Sequence, residues 1–275
     1  MQQIANIAEL RERLGKAASV AFVPTMGNLH EGHLDLVRQA RAHGECVVVS
    51  IFVNPLQFGP SEDFDKYPRT LADDCAKLAG LVDVVFAPSV SEMYAQQQTV
   101  FSEPPPIANE LCGATRPGHF RGMATVVLKL LNIVQPQVAL FGKKDYQQLH
   151  IIRQMVAQMN LPIRIIGGET IRAVDGLALS SRNQYLTATE RTEAVFLRQV
   201  LLTLQQNIRD GEMDFAGAEA KAVSALAKRG WQVEYVSVRN RVALTQPAKT
   251  DRECVVLAAA RLGITRLIDN LEIDI

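Results

Sequence analysis

The fold is decided by one stretch of ten residues, Pro24-Thr25-Met26-Gly27-Asn28-Leu29-His30-Glu31-Gly32-His33. It follows the apolar run 20–23, which is typical of a buried parallel strand, and precedes an amphipathic run typical of a helix. In an open α/β sheet, ligands bind where a strand passes into a helix, and the helix N-terminus favours an anion there. Gly27 and Gly32 let the backbone approach a phosphate, and His30 and His33 can donate hydrogen bonds to its oxygens.

The first two-thirds of the chain alternates strand and helix patterns. Strands are predicted at 20–24, 46–53, 82–87, 138–141 and 163–166, and helices at 4–14, 32–43, 70–80, 122–134 and 144–159, with a loop over 54–69. Apolar β-branched runs separated by helices predict an α/β fold with a Rossmann-like, doubly wound parallel sheet.

Beyond about residue 175 the pattern changes. Two helices are predicted first and three strands after them, at 187–209, 214–229, 231–238, 253–260 and 264–269. Helices followed by strands indicate a smaller α+β domain. We therefore expect a domain of residues 1–174 and a C-terminal domain of residues 175–275, joined near the turn Asp175-Gly176.

The composition of the chain disfavours several classes of function. Of 275 residues, 29 are Lys or Arg and 29 are Asp or Glu, so the charge balance favours neither a nucleic-acid nor a membrane partner. The four cysteines are scattered without a C-x-x-C pair, which indicates free thiols in a reducing compartment. Charges run through residues 1–19, and no apolar run reaches the ~18 residues of a spanning helix, so we expect a cytoplasmic protein.

Two further motifs carry groups that suit a nucleotide, one between a strand and a helix and one just past the domain junction. In Phe141-Gly142-Lys143-Lys144-Asp145-Tyr146-Gln147-Gln148, Lys144 can neutralise phosphate charge and Asp145 can accept from a ribose hydroxyl. For Lys143, a solvent-exposed position at the start of the helix is a better interpretation than phosphate binding. The second motif is Leu179-Ser180-Ser181-Arg182-Asn183, whose two hydroxyls and guanidinium suit phosphate oxygens, although a turn or a helix cap would use the same residues.

Two loops add neutral and basic groups. Asn54 and Gln57, within Phe52-Val53-Asn54-Pro55-Leu56-Gln57-Phe58-Gly59, place amides beside apolar side chains and suit a small polar substrate with an apolar body. The segment Arg116-Pro117-Gly118-His119-Phe120-Arg121-Gly122 could bind a phosphate or lie at a subunit interface, and His119 is expected to be structural. A His-ligated metal is disfavoured because His30 and His33 are three residues apart and no third ligand clusters with them.

Together these motifs resemble the pantoate–β-alanine ligase family of the nucleotidyltransferase superfamily. The resemblance rests on five motifs in order across the chain, including Pro-Thr-Met-Gly-Asn-Leu-His-Glu-Gly-His at 24–33 and Leu-Ser-Ser-Arg-Asn at 179–183. It implies ATP-dependent condensation of pantoate with β-alanine through a pantoyl-adenylate, with AMP and pyrophosphate released. It also implies Mg²⁺ bound with the ATP phosphates, a homodimer, and a C-terminal domain that acts as a lid.

The resemblance also implies roles for individual residues. Those expected to bind ATP are Met26, Gly27, Asn28, Leu29, His30, Glu31, Gly32, His33, Gly142, Lys143, Lys144, Asp145, Ile171, Leu179, Ser180, Ser181 and Arg182. Gln57 and Gln148, with Asn54, Pro24 and Thr25, are expected to hold pantoate and β-alanine. His33, His30, Lys144 and Arg182 are the expected catalytic residues, with His33 as proton donor at the α-phosphate. The sequence departs from the family pattern at Lys143 and Asp35.

Two other interpretations stay open at this point. One is a nucleotidyltransferase whose product retains the nucleotide, as a dinucleotide or a CDP-linked compound. The other is a regulatory module that binds ATP without turnover, although Asn54, Gln57 and Gln148 would then have no use. A tRNA synthetase is disfavoured because the chain is short, neutral and without an evident basic anticodon-binding domain.

Overall fold

A computed structural model describes residues 1–60, 62 and 64–275. Its strands are β1 (Gln2–Ile4), β2 (Val20–Thr25), β3 (Cys46–Ile51), β4 (Val84–Phe86), β5 (Val138–Gly142), β6 (Arg164–Gly168), β7 (Gln232–Asn240), β8 (Glu253–Leu262) and β9 (Thr265–Asp274). Its α-helices are α1 (Ile7–Leu14), α2 (Glu31–Ala40), α3 (Leu71–Leu78), α4 (Val90–Met93), α5 (Cys112–Thr115), α6 (His119–Val134), α7 (Tyr146–Gln158), α8 (Ala188–Glu193), α9 (Phe196–Arg209) and α10 (Phe215–Ala227). Short 3₁₀ turns cover Pro55–Gln57, Pro106–Asn109, Lys143–Asp145 and Ser181–Tyr185.

The predicted parallel sheet is confirmed. Six strands lie in the order β1-β4-β3-β2-β5-β6, and every neighbouring pair is parallel. From β2 the chain builds outward through β3 and β4, and β5 then starts on the other side of β2. The carboxyl ends of β2 and β5 therefore flank the switch point at which open α/β sheets bind ligands.

Both faces of this sheet are covered, as its apolar strands predict. Phe22 and Val48 belong to one buried cluster, to which the long helices α6 and α7 also contribute. Their neighbours Val23 and Val49 belong to a second cluster, which includes side chains of α2 and α3. Successive residues of a strand point to opposite faces, so a strand buried on both faces has a continuous apolar sequence.

The C-terminal part forms the predicted α+β unit. Its sheet is antiparallel in the order β7-β8-β9 and packs with α9 and α10 around its own apolar cluster. A small cluster joins this unit to the parallel-sheet unit through Leu111 and Tyr146 on one side and Val255 and Leu257 on the other.

Two elements differ from the sequence prediction. Ile4 does not begin a helix; it ends the edge strand β1, and α1 starts at Ile7 because the Asn6 side chain caps it by accepting from the amides of Ala8 and Glu9. The helix predicted over 187–209 is two helices, yet Ala194 and Val195 keep right-handed helical angles, so the interruption is local. The loop predicted over 54–69 contains the 3₁₀ turn at 55–57, and its residues Ser61 and Asp63 lie outside the described residues.

Candidate active site

The two histidines cap the helix that follows β2, each using its own ring. The Gly32 amide donates to Nδ1 of His30 at 3.2 Å, and the His30 amide donates to Nδ1 of His33 at 3.3 Å. Burial lowers the pKa of His30 to about 3, with help from His33 and Lys144, and lowers that of His33 to about 4. Both rings are therefore neutral near pH 7. Since each Nδ1 accepts a hydrogen bond, the proton of each ring resides on Nε2, where it can be donated.

A buried carboxylate holds the loop in front of these histidines. Asp74 on α3 is completely buried and accepts from the amides of Asn28 at 2.8 Å and Leu29 at 2.7 Å, and from the Thr70 hydroxyl at 3.0 Å. One turn later, Lys77 donates to the Leu29 carbonyl at 2.8 Å. Gly27 has a φ of +84°, and a Cβ there would lie 3.1 Å from the Asp74 carboxylate, so the turn requires glycine.

The turn after β5 brings Lys144 and Asp145 beside the histidines, while Lys143 points elsewhere. Lys144 Nζ lies 3.7 Å from an Asp145 carboxylate oxygen. Partial desolvation in the cleft opposes ionisation of Asp145, whose side chain is about half exposed, but Lys144 and Arg182 outweigh this and hold its pKa below the usual value. The ammonium of Lys143 instead pairs with Glu169 at 2.5 Å and with Glu272 on β9 at 3.1 Å.

The segment 179–182 closes the other side. The Ser181 hydroxyl donates to the Asn28 carbonyl at 3.1 Å, which ties this segment to the histidine loop. The Leu179 amide donates to the Ile171 carbonyl at 3.0 Å, so these two residues, both expected to contact the nucleotide, belong to one small hairpin. The Arg182 guanidinium lies 6.0 Å from the centre of the Tyr67 ring.

The two amide side chains after β3 differ in how far the protein itself occupies their hydrogen-bonding groups. The Asn54 amide group donates to Gln57 Oε1 at 3.1 Å and to the Gly122 carbonyl at 3.2 Å, while its oxygen accepts from Tyr94 at 2.7 Å and from Leu56. Asn54 thus has all its hydrogen-bonding capacity satisfied internally. We assign it as a positioning residue for Gln57, whose own Nε2 lies 3.3 Å from Met26 Sδ.

The basic segment 116–122 supports the same turn. Arg116 forms a two-pronged ion pair with Glu62 at 2.7 Å and also contacts His119 Nε2 at 3.0 Å. Because Arg116 can only donate, His119 carries its proton on Nδ1 and donates it to the Gln57 carbonyl at 2.8 Å. Burial, together with the adjacent Arg116, lowers the pKa of His119 to about 4.

These groups surround one cavity of about 220 Å³ at the switch point of the sheet. The predicted residues that line it are Pro24, Thr25, Met26, His30, Gly32, His33, Asn54, Gln57, Gly142, Lys144, Asp145, Gln148, Ile171, Leu179, Ser180, Ser181 and Arg182. A larger cavity of about 400 Å³ between the two units shares Lys144, Asp145, Gln148, Ser180 and Arg182 with it, so the two form one continuous cleft.

Five predicted residues do not line either cavity. Three of them, Gly27, Asn28 and Leu29, form the loop that Asp74 holds. Glu31 pairs with Arg38 on the helix surface, and Lys143 pairs with Glu169 and Glu272. Asp35, the other departure from the family pattern, accepts from Gln39 one turn later at 2.6 Å. Neither Lys143 nor Asp35 lines the smaller cavity.

Sequence reasoning missed two sets of residues. Asp74 and Lys77 carry no motif, and only their contacts with the histidine loop reveal them. The apolar wall of the smaller cavity was readable in principle, since Met123, Val126, Val127 and Leu130 repeat at i, i+3, i+4 and i+7 on α6.

Neither a metal-binding cluster nor a membrane-spanning helix is found in the described part of the chain. Among residues 1–60, 62 and 64–275, no group of three or more His, Cys, Asp or Glu is placed to hold a metal ion. No helix within those residues is long and apolar enough to cross a membrane.

Comparisons with known proteins agree with one another. Residues 1–272 match the family model for pantoate-beta-alanine ligase. A pantothenate synthetase from Nitrosospira multiformis is 59% identical over 274 residues, covering 99% of this chain and 98% of the relative. One from Neisseria meningitidis is 56% identical over the full length of both chains.

Solved structures give the same family. A pantothenate synthetase from Thermus thermophilus superposes with a TM-score of 0.94 at 43% identity, covering 98% of this chain and 99% of the other. A pantoate-beta-alanine ligase from Francisella tularensis, complexed with beta-gamma ATP and beta-alanine, superposes with a TM-score of 0.83 at 36% identity over 98% and 97% of the two chains. The chain therefore belongs to the pantoate–β-alanine ligase family.

Proposed function

We propose that this protein condenses pantoate with β-alanine at the expense of ATP, through a pantoyl-adenylate, and releases AMP and pyrophosphate. The observation that carries the proposal is the pair of neutral imidazoles, His30 and His33, fixed with Nε2–H free to donate in the same cavity as Lys144 and Arg182. Gln57 and Gln148 line that cavity too, which gives it a place for an organic acid beside the phosphate donors.

The phosphate chemistry follows from the donor set. A carboxylate is a poor electrophile, so pantoate must first attack the α-phosphorus of ATP and displace pyrophosphate. Negative charge then builds on the equatorial oxygens of that phosphorus, and Lys144, Arg182 and the imidazole N–H groups stabilise it. With a pKa of about 4 in the free protein, His33 acts as a neutral hydrogen-bond donor to these oxygens rather than as a charged acid.

The pantoate subsite needs both apolar and polar walls. Pantoate carries two methyl groups on one carbon, and the apolar α6 wall of Met123, Val126, Val127 and Leu130 suits them. Its carboxylate and hydroxyls suit the amides of Gln57 and Gln148. The side chain of Gln148 has no hydrogen-bond partner within the described part of the chain, so its amide group is available to a ligand.

The second step needs no protein nucleophile. The β-alanine amine attacks the pantoyl carbonyl, the amide bond forms, and AMP leaves with the bridging oxygen. We propose that the C-terminal unit, residues 175–275, acts as a lid over the domain of residues 1–174 and keeps water from the adenylate. In support, the larger cavity lies between the two units and is lined by both.

The residues present fit a magnesium ion carried by ATP. Mg²⁺ keeps several waters and needs one or two carboxylates besides substrate phosphates. Asp145, which favours its ionised form and lines the cleft, would be the carboxylate that holds the ion. A bound ion would supply positive charge beside the phosphates of ATP.

Steady-state product analysis tests the proposal. ATP, Mg²⁺, pantoate and β-alanine should yield AMP, pyrophosphate and pantothenate in equal amounts, each dependent on both organic substrates. A product that retains the nucleotide would instead support a nucleotidyltransferase. ATP binding without pantoate-dependent pyrophosphate release would support a regulatory module.

Two further proposals rest on family membership. We infer a homodimer, for which light scattering should give twice the chain mass of 30.3 kDa. We also infer a cytoplasmic location, which the four free cysteines favour, and fractionation of the native cells tests it.

A further inference from the structure

Strand β9 of the C-terminal unit contacts the turn that carries Lys144. The Asn270 side chain is buried, and its Nδ2 donates to the Lys143 carbonyl at 3.0 Å and to the Lys144 carbonyl at 2.9 Å. Both hydrogens of one amide group are thus used on two successive carbonyls of the 3₁₀ turn 143–145.

Two residues further along the same strand, Glu272 contacts the same turn. One of its carboxylate oxygens accepts from the Tyr146 hydroxyl at 2.9 Å and the other pairs with Lys143 Nζ at 3.1 Å. Residues i and i+2 of a strand share a face, so Asn270 and Glu272 together present one polar face to residues 143–146. Glu272 thus shares the Lys143 ammonium with Glu169, which lies 2.5 Å from it.

A neighbouring contact fixes the strand itself. Asp269 is buried and forms a two-pronged ion pair with Arg172 at 2.7 and 2.8 Å, and it also accepts from the Asn270 amide at 2.8 Å. Arg172 follows Ile171, which lines the smaller cavity. The β9 backbone at 269–270 is therefore held against the hairpin of the cleft while Asn270 reaches the lysine turn.

We propose that Asn270 is a positioning residue that makes the C-terminal sheet set the placement of Lys144, with Glu272 as its second contact. Separation of the two units would break both contacts at once and release the lysine turn. Lys144 would then be correctly placed only while the C-terminal sheet is docked. The catalytic part of this inference rests on the proposed function.

The test compares Asn270→Ala with Ile273→Val in the full-length protein. Ile273 lies on the same strand, is buried in the core of the C-terminal unit and lines neither cavity, so Ile273→Val is a control for a general loss of packing in β9. Loss of two neutral hydrogen bonds weakens the hold of β9 on the lysine turn. We expect this loss to appear in the transition state, where Lys144 must be correctly placed, as a decrease in kcat of roughly 10- to 30-fold. The KM for ATP should change less than about threefold, because Lys144 acts mainly on the charge that develops in the transition state. If Asn270→Ala does not fold, Asn270→Leu keeps the side-chain volume without the donor and should show the same loss.

Amide hydrogen exchange supplies a readout that does not need catalysis. The amides of 143–148 should exchange faster in Asn270→Ala than in the wild type and in Ile273→Val. A wild-type kcat in Asn270→Ala, or a loss of kcat equalled by Ile273→Val, would overturn the proposal. If the wild type itself forms no pantothenate, the proposed function fails, and exchange alone decides: faster exchange supports the positioning role and unchanged exchange overturns it.

Discussion

Replacement of Asp74 by asparagine tests whether the histidine loop is held from α3. The substitution keeps the shape of the side chain but leaves a single acceptor oxygen for the Asn28 and Leu29 amides, which the two carboxylate oxygens now serve at 2.8 and 2.7 Å. Whichever way the new amide is turned, its NH₂ group faces a backbone N–H.

The magnitude follows from these contacts. A hydrogen bond to a charged group contributes about 1.5–3 kcal/mol, and a buried donor left unpaired costs about 1–3 kcal/mol, with overlap between the two. We expect Asp74→Asn to lower the free energy of unfolding by about 2–4 kcal/mol. The surviving protein should lose at least ~10-fold in kcat/KM for ATP, because the loop precedes His30 and small displacements of catalytic groups are costly.

Asp73→Asn is the matched control, since it makes the same change of charge one residue away at an exposed position of the same helix. It should alter the free energy of unfolding by less than about 1 kcal/mol through the helix dipole. Urea unfolding and initial rates of pyrophosphate release measure the two quantities. Equal effects of the two substitutions on both would refute the argument that Asp74 holds the loop.

Three other predictions concern the cleft. His33→Ala and Lys144→Ala should fold normally and lose adenylate formation by about 10²- to 10³-fold; unchanged turnover in either variant would remove that residue from the mechanism. Gly122→Ala should raise the KM for pantoate and lower stability by about 1–3 kcal/mol or more, because its Cβ would lie 2.0 Å from the Leu56 carbonyl oxygen next to Gln57; an unaltered KM for pantoate would argue against this contact. The pKa of His119 is about 4 in the folded protein, whereas in the unfolded chain its imidazole binds a proton below about pH 6.5. The contribution of His119 to the free energy of unfolding is therefore fully present above pH 6.5 and is lost as the pH falls. That loss is about 2 kcal/mol at pH 5 and should be missing from the pH dependence of unfolding in His119→Gln, measured by urea titration; an identical pH dependence would contradict it.

Local sequence patterns predicted the fold well where strands were long and apolar. The run 46–51 is buried on both faces, and its residues alternate between two cores, so its continuous hydrophobicity correctly indicated a parallel strand. The three-residue strand β1 was missed because it is too short to show a period and directly precedes a capped helix. The break near Ala194 leaves the helical dihedral angles intact, so the pattern gave no sign of it.

The candidate site was predictable where residues that can bind phosphate come directly after a strand. His30 and Lys144 were placed in one cleft because parallel strands end at the same sheet edge. The residues that hold them could not be found this way. Asp74 lies 45 residues from its partner Leu29, and Asn270 lies 126 residues from Lys144, so no local pattern reports either contact. The sequence favoured Lys144 over Lys143 for the phosphate role, but it did not predict the ion pairs of Lys143 with Glu169 and Glu272.

The central claim, that pantoate is activated on the α-phosphate of ATP, is tested most directly with pantoate that carries ¹⁸O at both carboxylate oxygens. Attack of one of these oxygens on the α-phosphorus, followed by attack of the amine on the carbonyl, predicts one ¹⁸O in each AMP and one in each pantothenate. Mass spectrometry of the two products measures both. Label in pyrophosphate or phosphate, or AMP without label while pantothenate is formed, would contradict the adenylate mechanism.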